Sequence, residues 1–191
     1  MRLRAFFLGL FIFATPLFAI DRWILISGTV SNFHTDARLF NPAFDKDIQI
    51  TATFYPTTGG TPLTTTVTVP KRQMKILDDV TTQLFNTSSL GAILFTSSDS
   101  FEATSRIYAL TSAGTLGQFG PGTPPSDATK KGALLQLKSG GSFHTNIGVV
   151  NPNGVTANVT WTLYDKNSAP VSSKTTPFTP LAALAPTNLT G

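Results

Sequence analysis

The feature that most constrains the fold of this chain is an internal repeat. The segment FHTDARLFNP at residues 33–42 returns as FHTNIGVVNP at residues 143–152, 110 positions later. After a one-residue deletion, ITATFYP matches VTWTLYD, and Pro70 aligns with Pro180 once the spacing returns to 110. Self-similarity at one spacing indicates related structural units. The chain is therefore predicted to hold two copies of one unit.

The second copy is predicted to be incomplete. The first copy continues for some 40 residues past Met74, whereas the second stops at Gly191, soon after the equivalent position. A sandwich cut short in this way exposes strand edges and an uncovered apolar face. Either the short unit packs on the first one, or the natural protein continues, and we favour continuation.

Short alternating segments predict the architecture of each unit. In IQITATFY, apolar residues at every second position face one side, and these are Ile48, Ile50, Ala52 and Phe54. The turn PTTGGTP follows, and TTTVTVP returns with Val67 and Val69 as an antiparallel neighbour. About seven such strands between residues 22 and 110 predict an all-β, immunoglobulin-like antiparallel sandwich. DDVTTQLF is the exception, because Asp78 or Asp79 can cap one or two helical turns.

The N-terminus has the three-part pattern of a secretory signal peptide. Arg2 and Arg4 precede an apolar run, and Ala19 suits the last position before cleavage, so residues 1–19 are predicted to be removed. A membrane anchor is the alternative, but the run is shorter than the about 20 residues of a membrane span and is broken by Pro16. The mature chain is expected to be secreted or extracytoplasmic without a membrane span, and both periplasm and cell surface remain open.

Composition excludes some classes of protein. The signal peptide contains two of the 14 basic residues and none of the 10 acidic ones, so its removal lowers the formal net charge from +4 to +2. The remaining basic residues are scattered along the chain, which argues against nucleic acid as a partner. The chain has no cysteine, so no disulfide can stabilise the fold and the apolar core must do so alone. A lipoprotein anchor is also excluded, because it requires a cysteine directly after the cleavage site. A protein or a polysaccharide at the cell exterior is the expected partner.

The domain boundaries follow from composition and the repeat. We predict a first β-sandwich domain over residues 20–116, a linker over residues 117–132 and a second β-sandwich unit over residues 133–191. The linker GQFGPGTPPSDATKKG is rich in Gly, Pro and small polar residues. A long functional loop is the alternative for this segment.

The motifs together resemble a known kind of repeat. FHTDARLFNP, the VTVP strand end, LDDV, TSRIYA and GTLGQFGPG, followed by GSFHTNIGVVNP and VTWTLYD, are similar to repeat domains of uncharacterised secreted or surface bacterial proteins. The resemblance covers most of the mature chain. It implies an extracellular location and an immunoglobulin-like or fibronectin type III-like sandwich, and it supplies no catalytic residues.

Candidate site residues are few. His34 and Asp36 share a face of one strand, so a metal site is conceivable, although a strand-start histidine beside a turn is the favoured interpretation. His144 occupies the equivalent place in the second unit. Asn41, Asp45 and Asp47 could gather around calcium, but the second copy of that loop has no acids. We therefore expect no metal and no cofactor.

Catalysis is not expected either. The chain has no GxSxG elbow and no cysteine, Glu102 is its only glutamate, and neither histidine lies in a triad pattern. The predicted function is a non-enzymatic module with a structural, adhesive or binding role. A carbohydrate-binding module is the alternative, with Trp23 as the stacking candidate and Trp161 assigned to the core. A hydrolase with an unrecognised site is the third hypothesis.

Overall fold

The computed structural model describes residues 19–135, 137–138, 146–179 and 187–188. Its helical elements are the short helix α1 (Val80–Phe85) and a 3₁₀ turn at Pro125–Asp127. The strands are β1 (Ile20–Ser27), β2 (Phe33–Phe40), β3 (Ile48–Pro56), β4 (Leu63–Val69), β5 (Met74–Leu77), β6 (Gly91–Ser97), β7 (Glu102–Thr111), β8 (Gly114–Pro121), β9 (Asn146–Ile147), β10 (Ala157–Tyr164), β11 (Pro170–Phe178) and β12 (Thr187–Asn188). The predicted all-β class is confirmed.

Two four-stranded sheets form the sandwich. The first sheet has the order β1-β6-β3-β4, the second has the order β5-β2-β7-β8, and every pairing is antiparallel. Their inner faces share one apolar core, in which Phe54 and Phe95 of the first sheet meet Leu39 of the second. The seven strands that the sequence predicts between residues 22 and 110 are β1 to β7.

The core follows from alternation along the strands. In β3 the four residues predicted to share a face are buried and the intervening Gln49 and Thr51 are exposed. Val67 and Val69 of the neighbouring β4 are also buried, as predicted. Helix α1 closes one side of the core with Val80. Asp79 stands at the predicted N-cap of α1, but its side chain makes no capping hydrogen bond.

The strand pairing keeps the centre of an immunoglobulin domain and exchanges its edges. Immunoglobulin sheets pair B with E and C with F, which correspond to β2–β5 and β3–β6 here. The strand beside F is normally the last one, G, whereas the N-terminal β1 lies beside β6 here. The strand that follows β6 instead pairs with β2, where strand A usually lies. Strands β1 and β7 have thus exchanged the places of A and G, and β4 lies beside β3 instead of beside β5, where strand D would lie.

The structure differs from the predicted linker over residues 117–132. Residues up to Pro121 belong to β8, and Thr123 exchanges two backbone hydrogen bonds with Trp23 of β1, at 2.8 and 2.9 Å. The glycines that suggested a linker permit close packing instead. A Cβ at Gly117 would lie 2.6 Å from the Ile107 carbonyl oxygen, and one at Gly122 would lie 2.7 Å from that of Ala103. Residues 117–123 therefore complete the first sandwich and close it onto β1, and the linker stays a prediction for residues 124–132.

The C-terminal residues form two separate two-stranded sheets, β10–β11 and β9–β12. The β10–β11 pair begins with Ala157 opposite Phe178, and these positions align with Ile48 and Val69 of the β3–β4 pair. The β9–β12 pair places Ile147 opposite Thr187, just as Ala37 lies opposite Leu77 in β2–β5. The registers are thus the same at aligned positions.

Some predictions concern residues that the structure does not describe. Residues 1–18 of the predicted signal peptide and His144 fall outside the described ranges. No helix among the described residues is long and apolar enough to cross a membrane.

Candidate functional site

The outer face of the second sheet carries a polar and aromatic cluster. Alternation along β2 buries Thr35, Ala37 and Leu39 and turns the residues between them outward, so the predicted His34 and Asp36 do share a face. Residues directly opposite each other in antiparallel strands share a face as well. We define the outer cluster as the side chains assembled here from β2, β7 and the β5–α1 junction, namely His34, Asp36, Arg38, Asp78, Asp79, Arg106 and Tyr108.

Asp36 is the acceptor at the centre of the outer cluster. One of its oxygens accepts hydrogen bonds from the backbone N–H of Asp79, at 3.0 Å, and from the Tyr108 hydroxyl, at 3.3 Å. Its other oxygen lies 4.0 Å from the Arg38 guanidinium. The carboxylate therefore ties β2 to β7 and to the start of α1.

His34 lies between a carboxylate and an aromatic ring. Its Nδ1 is 3.5 Å from Oδ2 of Asp79, and its ring stacks on Tyr108 with a centroid separation of 5.8 Å. The Thr29 hydroxyl donates to the other oxygen of Asp79. Asp79 is held in a left-handed backbone conformation, with φ at 52°, which aims its side chain at this face instead of at the α1 N-terminus.

Tyr108 has two neighbours against its ring. His34 stacks on one side, and the Arg106 guanidinium lies 4.9 Å from the ring centroid. Burial, followed by the charge of Asp36 and the hydrogen bond to it, raises the pKa of Tyr108 above its ordinary value. The phenol therefore stays protonated at neutral pH and remains a donor to Asp36.

Two further groups extend the face outward. Arg38 makes a 2.8 Å ion pair with Asp78, and Arg106 donates to the Thr115 hydroxyl at 2.5 Å. Phe119 of β8 lies directly opposite Arg106 and is 64% exposed. Accessible cationic, anionic and aromatic groups thus stand side by side on a rigid sheet.

The contacts do not assemble a nucleophile with a base. The Thr29 hydroxyl contacts Asp79, Thr81 and Thr82, and no hydroxyl in the described ranges is hydrogen-bonded to His34. Acyl transfer by a threonine needs that hydroxyl-to-base contact. The part of the chain that the structure describes also holds no group of three metal-binding side chains.

Trp23, the third candidate, lies elsewhere. Its side chain is on the outer face of the first sheet, is only 2% exposed, and packs with Ala92, Leu94 and Val150. The Tyr55 ring is 5.3 Å away. An indole this buried offers no face on which a sugar ring can stack. Trp161, which was assigned to the core, is half-buried in β10.

Asn41 and its counterpart Asn151 make matching contacts. The fully buried Asn41 amide donates to the carbonyls of Lys46 and Val69, both at 3.0 Å, and accepts from the N–H of Ala43 at 2.9 Å. This amide is fully used by backbone groups, and Asp47 accepts from the Lys71 N–H at 2.9 Å. The loop considered for calcium therefore uses these side chains to fix its own backbone.

In the second unit, Asn151 donates to Val155, Phe178 and Thr179 carbonyls, at 2.9, 3.3 and 3.0 Å. It accepts from the N–H of Asn153 at 3.1 Å. In both units the N–H partner is two residues after the asparagine, and the carbonyl partners lie in the following loop and at the end of the second strand of the aligned pair.

Sequence reasoning missed most of the outer cluster. Arg106 and Tyr108 are two residues apart on one strand, which indicates a common face. No local pattern in the sequence indicates that β7 lies beside β2, however, since β7 is adjacent in the chain to β6 and far from β2. From the sequence, Asp79 is expected only as a helix cap.

Comparison with known proteins identifies no family for this chain. No protein-family model matches the chain, and no curated protein matches it. A solved structure described as "Crystal Structure of Thermotoga maritima 1070" is similar over 55% of this chain and 92% of its own length, with 11% sequence identity and a TM-score of 0.48. A likeness at this level supports no argument about fold or function.

Proposed function

We propose that the chain is an exported, non-enzymatic β-sandwich protein whose first unit binds or adheres to a partner through the outer face of its second sheet. The observation that supports this is the outer cluster itself. Arg38 and Arg106 present guanidinium groups beside Asp36 and Asp78 on a sheet that needs no rearrangement to display them. Recognition from a rigid scaffold loses little conformational entropy on binding.

The protein is also proposed to consist of two copies of one unit. The equal registers of the aligned strand pairs support this, as do the matching hydrogen bonds of Asn41 and Asn151. The outer cluster is specific to the first copy, because Asn146 and Gly148 stand where the first copy has Asp36 and Arg38. The second copy therefore has a different role.

A carbohydrate is the second candidate for the ligand of the outer cluster. The exposed Phe119 ring opposite Arg106 favours it, because sugar sites combine an aromatic platform with planar charged groups that hydrogen-bond hydroxyls. This reassigns the stacking role from the buried Trp23 to Phe119.

Binding is tested with two matched phenylalanine variants. We expect Phe119→Ala and Arg106→Ala to lower affinity at least about tenfold, or about 1.4 kcal/mol, in binding assays against cell-wall polysaccharides and a glycan array. Phe44→Ala is the control, since Phe44 is 77% exposed but lies in the β2–β3 loop. Equal binding by all three variants would show that this face is not the site.

Export has its own test. Expression of the full-length gene in a bacterial host is expected to give a processed protein outside the cytoplasm whose N-terminal residue is Ile20, because Ala19 suits signal peptidase. Changing Ala19 to Arg blocks cleavage at that site and serves as the control. Unprocessed chain in the cytoplasm would rule out export.

A further inference from the structure

We propose that the Asn153–Gly154 pair is a site of spontaneous covalent modification, at which the Asn153 side chain loses ammonia and the β10–β11 hairpin is loosened as a result. Both residues are exposed in the loop that precedes β10. The site lies outside the outer cluster and does not depend on what that cluster binds.

The reaction needs only groups of the chain itself and water. The backbone nitrogen of Gly154 attacks Cγ of Asn153, a C–N bond forms, and the side-chain nitrogen leaves as ammonia with the proton of the attacking nitrogen. The product is a five-membered succinimide ring. Water then adds to one of the two ring carbonyl carbons and the ring C–N bond breaks, which leaves aspartate or isoaspartate at position 153.

The first observation is that the attacking group is available. The Gly154 N–H makes no hydrogen bond within the part of the chain that the structure describes. A Cβ added at Gly154 would meet nothing within 4 Å, and the next residue, Val155, is 69% exposed. Glycine also rotates freely about its backbone bonds. The loop can therefore bring this nitrogen to Cγ of Asn153 without disturbing its neighbours.

The second observation is that other asparagines lack such an available N–H. The buried Asn41 and Asn151 both precede proline, which has no N–H to lose. Asn158 lies within β10 and is followed by the β-branched Val159, whose side chain hinders attack. Ring closure is therefore disfavoured at each of these positions.

Three further asparagines are protected by hydrogen bonds, and these are Asn32, Asn86 and Asn167. The N–H of the residue that follows each of them donates to a backbone carbonyl. The donors are Phe33, Thr87 and Ser168, and the acceptors are Val30, Thr81 and Asp165, at 3.0, 3.4 and 3.1 Å. The nitrogen that would attack is thus occupied, which singles out Asn153 by structure as well as by sequence.

The third observation is what Asn153 holds in place. Its backbone N–H and its Nδ2 both donate to Oδ1 of Asn151, at 3.1 and 3.2 Å. Asn151 is 3% exposed and donates in turn to the Phe178 carbonyl at the end of β11. In the aspartate product an oxygen replaces Nδ2 and a carboxylate faces Oδ1 of Asn151. In the isoaspartate product an extra backbone carbon displaces the N–H. Either product weakens the contact that anchors the hairpin.

The first unit has no equivalent of this site. Ala43 donates its backbone N–H to Oδ1 of Asn41 at 2.9 Å, but it has no side-chain amide to lose. The modification therefore changes the second unit and leaves the first one as it is.

The test measures modification in the full mature chain during storage in mildly alkaline buffer. Trypsin releases residues 139–166 as one peptide, so Asn153 and Asn158 are compared in the same molecule by fragment-ion mass spectrometry. We expect Asn153 to be modified at least about tenfold faster than Asn158, because an exposed loop opens without unfolding the strands. Its rate is expected to lie within about tenfold of that in a synthetic peptide of residues 149–158.

Gly154→Ala is the matched control variant. The added Cβ has room, so the fold is expected to be unchanged, but the methyl group hinders attack and slows modification at least about tenfold. An unchanged rate in this variant would overturn the proposal. So would equal modification of Asn153 and Asn158, or a folded chain in which Asn153 reacts far more slowly than in the peptide.

The loosening of the hairpin is measured separately. Modified chain is isolated by ion exchange through its additional negative charge, and its digestion by trypsin is compared with that of fresh chain. We expect cleavage at Lys174 in β11 to be at least about threefold faster, while cleavage at Lys75 in the first unit is unchanged. Asn153→Asp is expected to reproduce this effect without storage. Equal cleavage of fresh and modified chain at Lys174 overturns the proposal.

Discussion

Replacing Asn41 with alanine is expected to lower the free energy of unfolding of the first unit by about 3 kcal/mol, which is a large effect for a polar side chain. The Asn41 amide is fully buried and contacts two carbonyls and one N–H. The alanine variant leaves all three backbone groups without this partner, and the Val69 carbonyl is left unpaired in a buried place. Urea denaturation followed by Trp23 fluorescence measures the change.

Asn32→Ala is the matched control. Asn32 also donates its amide to a carbonyl, that of Leu110 at 3.2 Å, but this contact is exposed. Water replaces a lost exposed hydrogen bond, so a change below about 0.5 kcal/mol is expected. A loss at Asn41 no greater than at Asn32 would contradict the structural role assigned to the Asn-Pro pair. Asn41→Asp is expected to be at least as damaging as alanine, because a buried carboxylate would then face two carbonyl oxygens.

Gly91→Ala is expected to destabilise the first unit by about 3 kcal/mol or to prevent its folding. Gly91 begins β6, and an added Cβ would lie 2.4 Å from the Tyr55 carbonyl oxygen and 2.5 Å from the Phe54 ring. The first neighbour is backbone in a central strand, so it cannot move without disturbing the β3–β6 ladder. Thermal denaturation measured by circular dichroism reports the loss.

Gly132→Ala provides the comparison for Gly91. An added Cβ at Gly132 meets nothing within 4 Å, so the melting temperature is expected to stay within about 1 °C of the wild type. If the two substitutions had equal effects, close packing at the start of β6 would not be the reason for glycine there.

The alternating strands could be predicted because their signal is local. Burial alternates along β3 as the apolar residues do, and the turn between β3 and β4 is marked by Gly59 and Gly60. The position of β8 could not be predicted in this way. The glycines in and just after β8 resemble a linker in composition. Only the neighbouring strand β7 shows the reason for glycine, because Tyr108 and Ala103 leave no room for a side chain at Gly117 and Gly122.

The candidate site was predictable only in part. His34 and Asp36 follow from the alternation of a single strand. The Tyr108 hydroxyl and Arg106 reach them through a pairing between strands some 70 residues apart in the chain, and no local pattern encodes that pairing. Trp23 is the sequence's candidate for stacking on a sugar, but side chains of β3 and β6 together with Val150 cover it.

The bridge between Trp23 and Thr123 has a mechanical consequence. Because the two residues pair in antiparallel fashion, the polypeptide leaves the first sandwich alongside the strand by which it enters. A pull on the segment that follows Thr123 would then load the contact with Trp23 before the rest of the first sandwich. The force would enter through the first sheet, whereas the outer cluster lies on the second sheet.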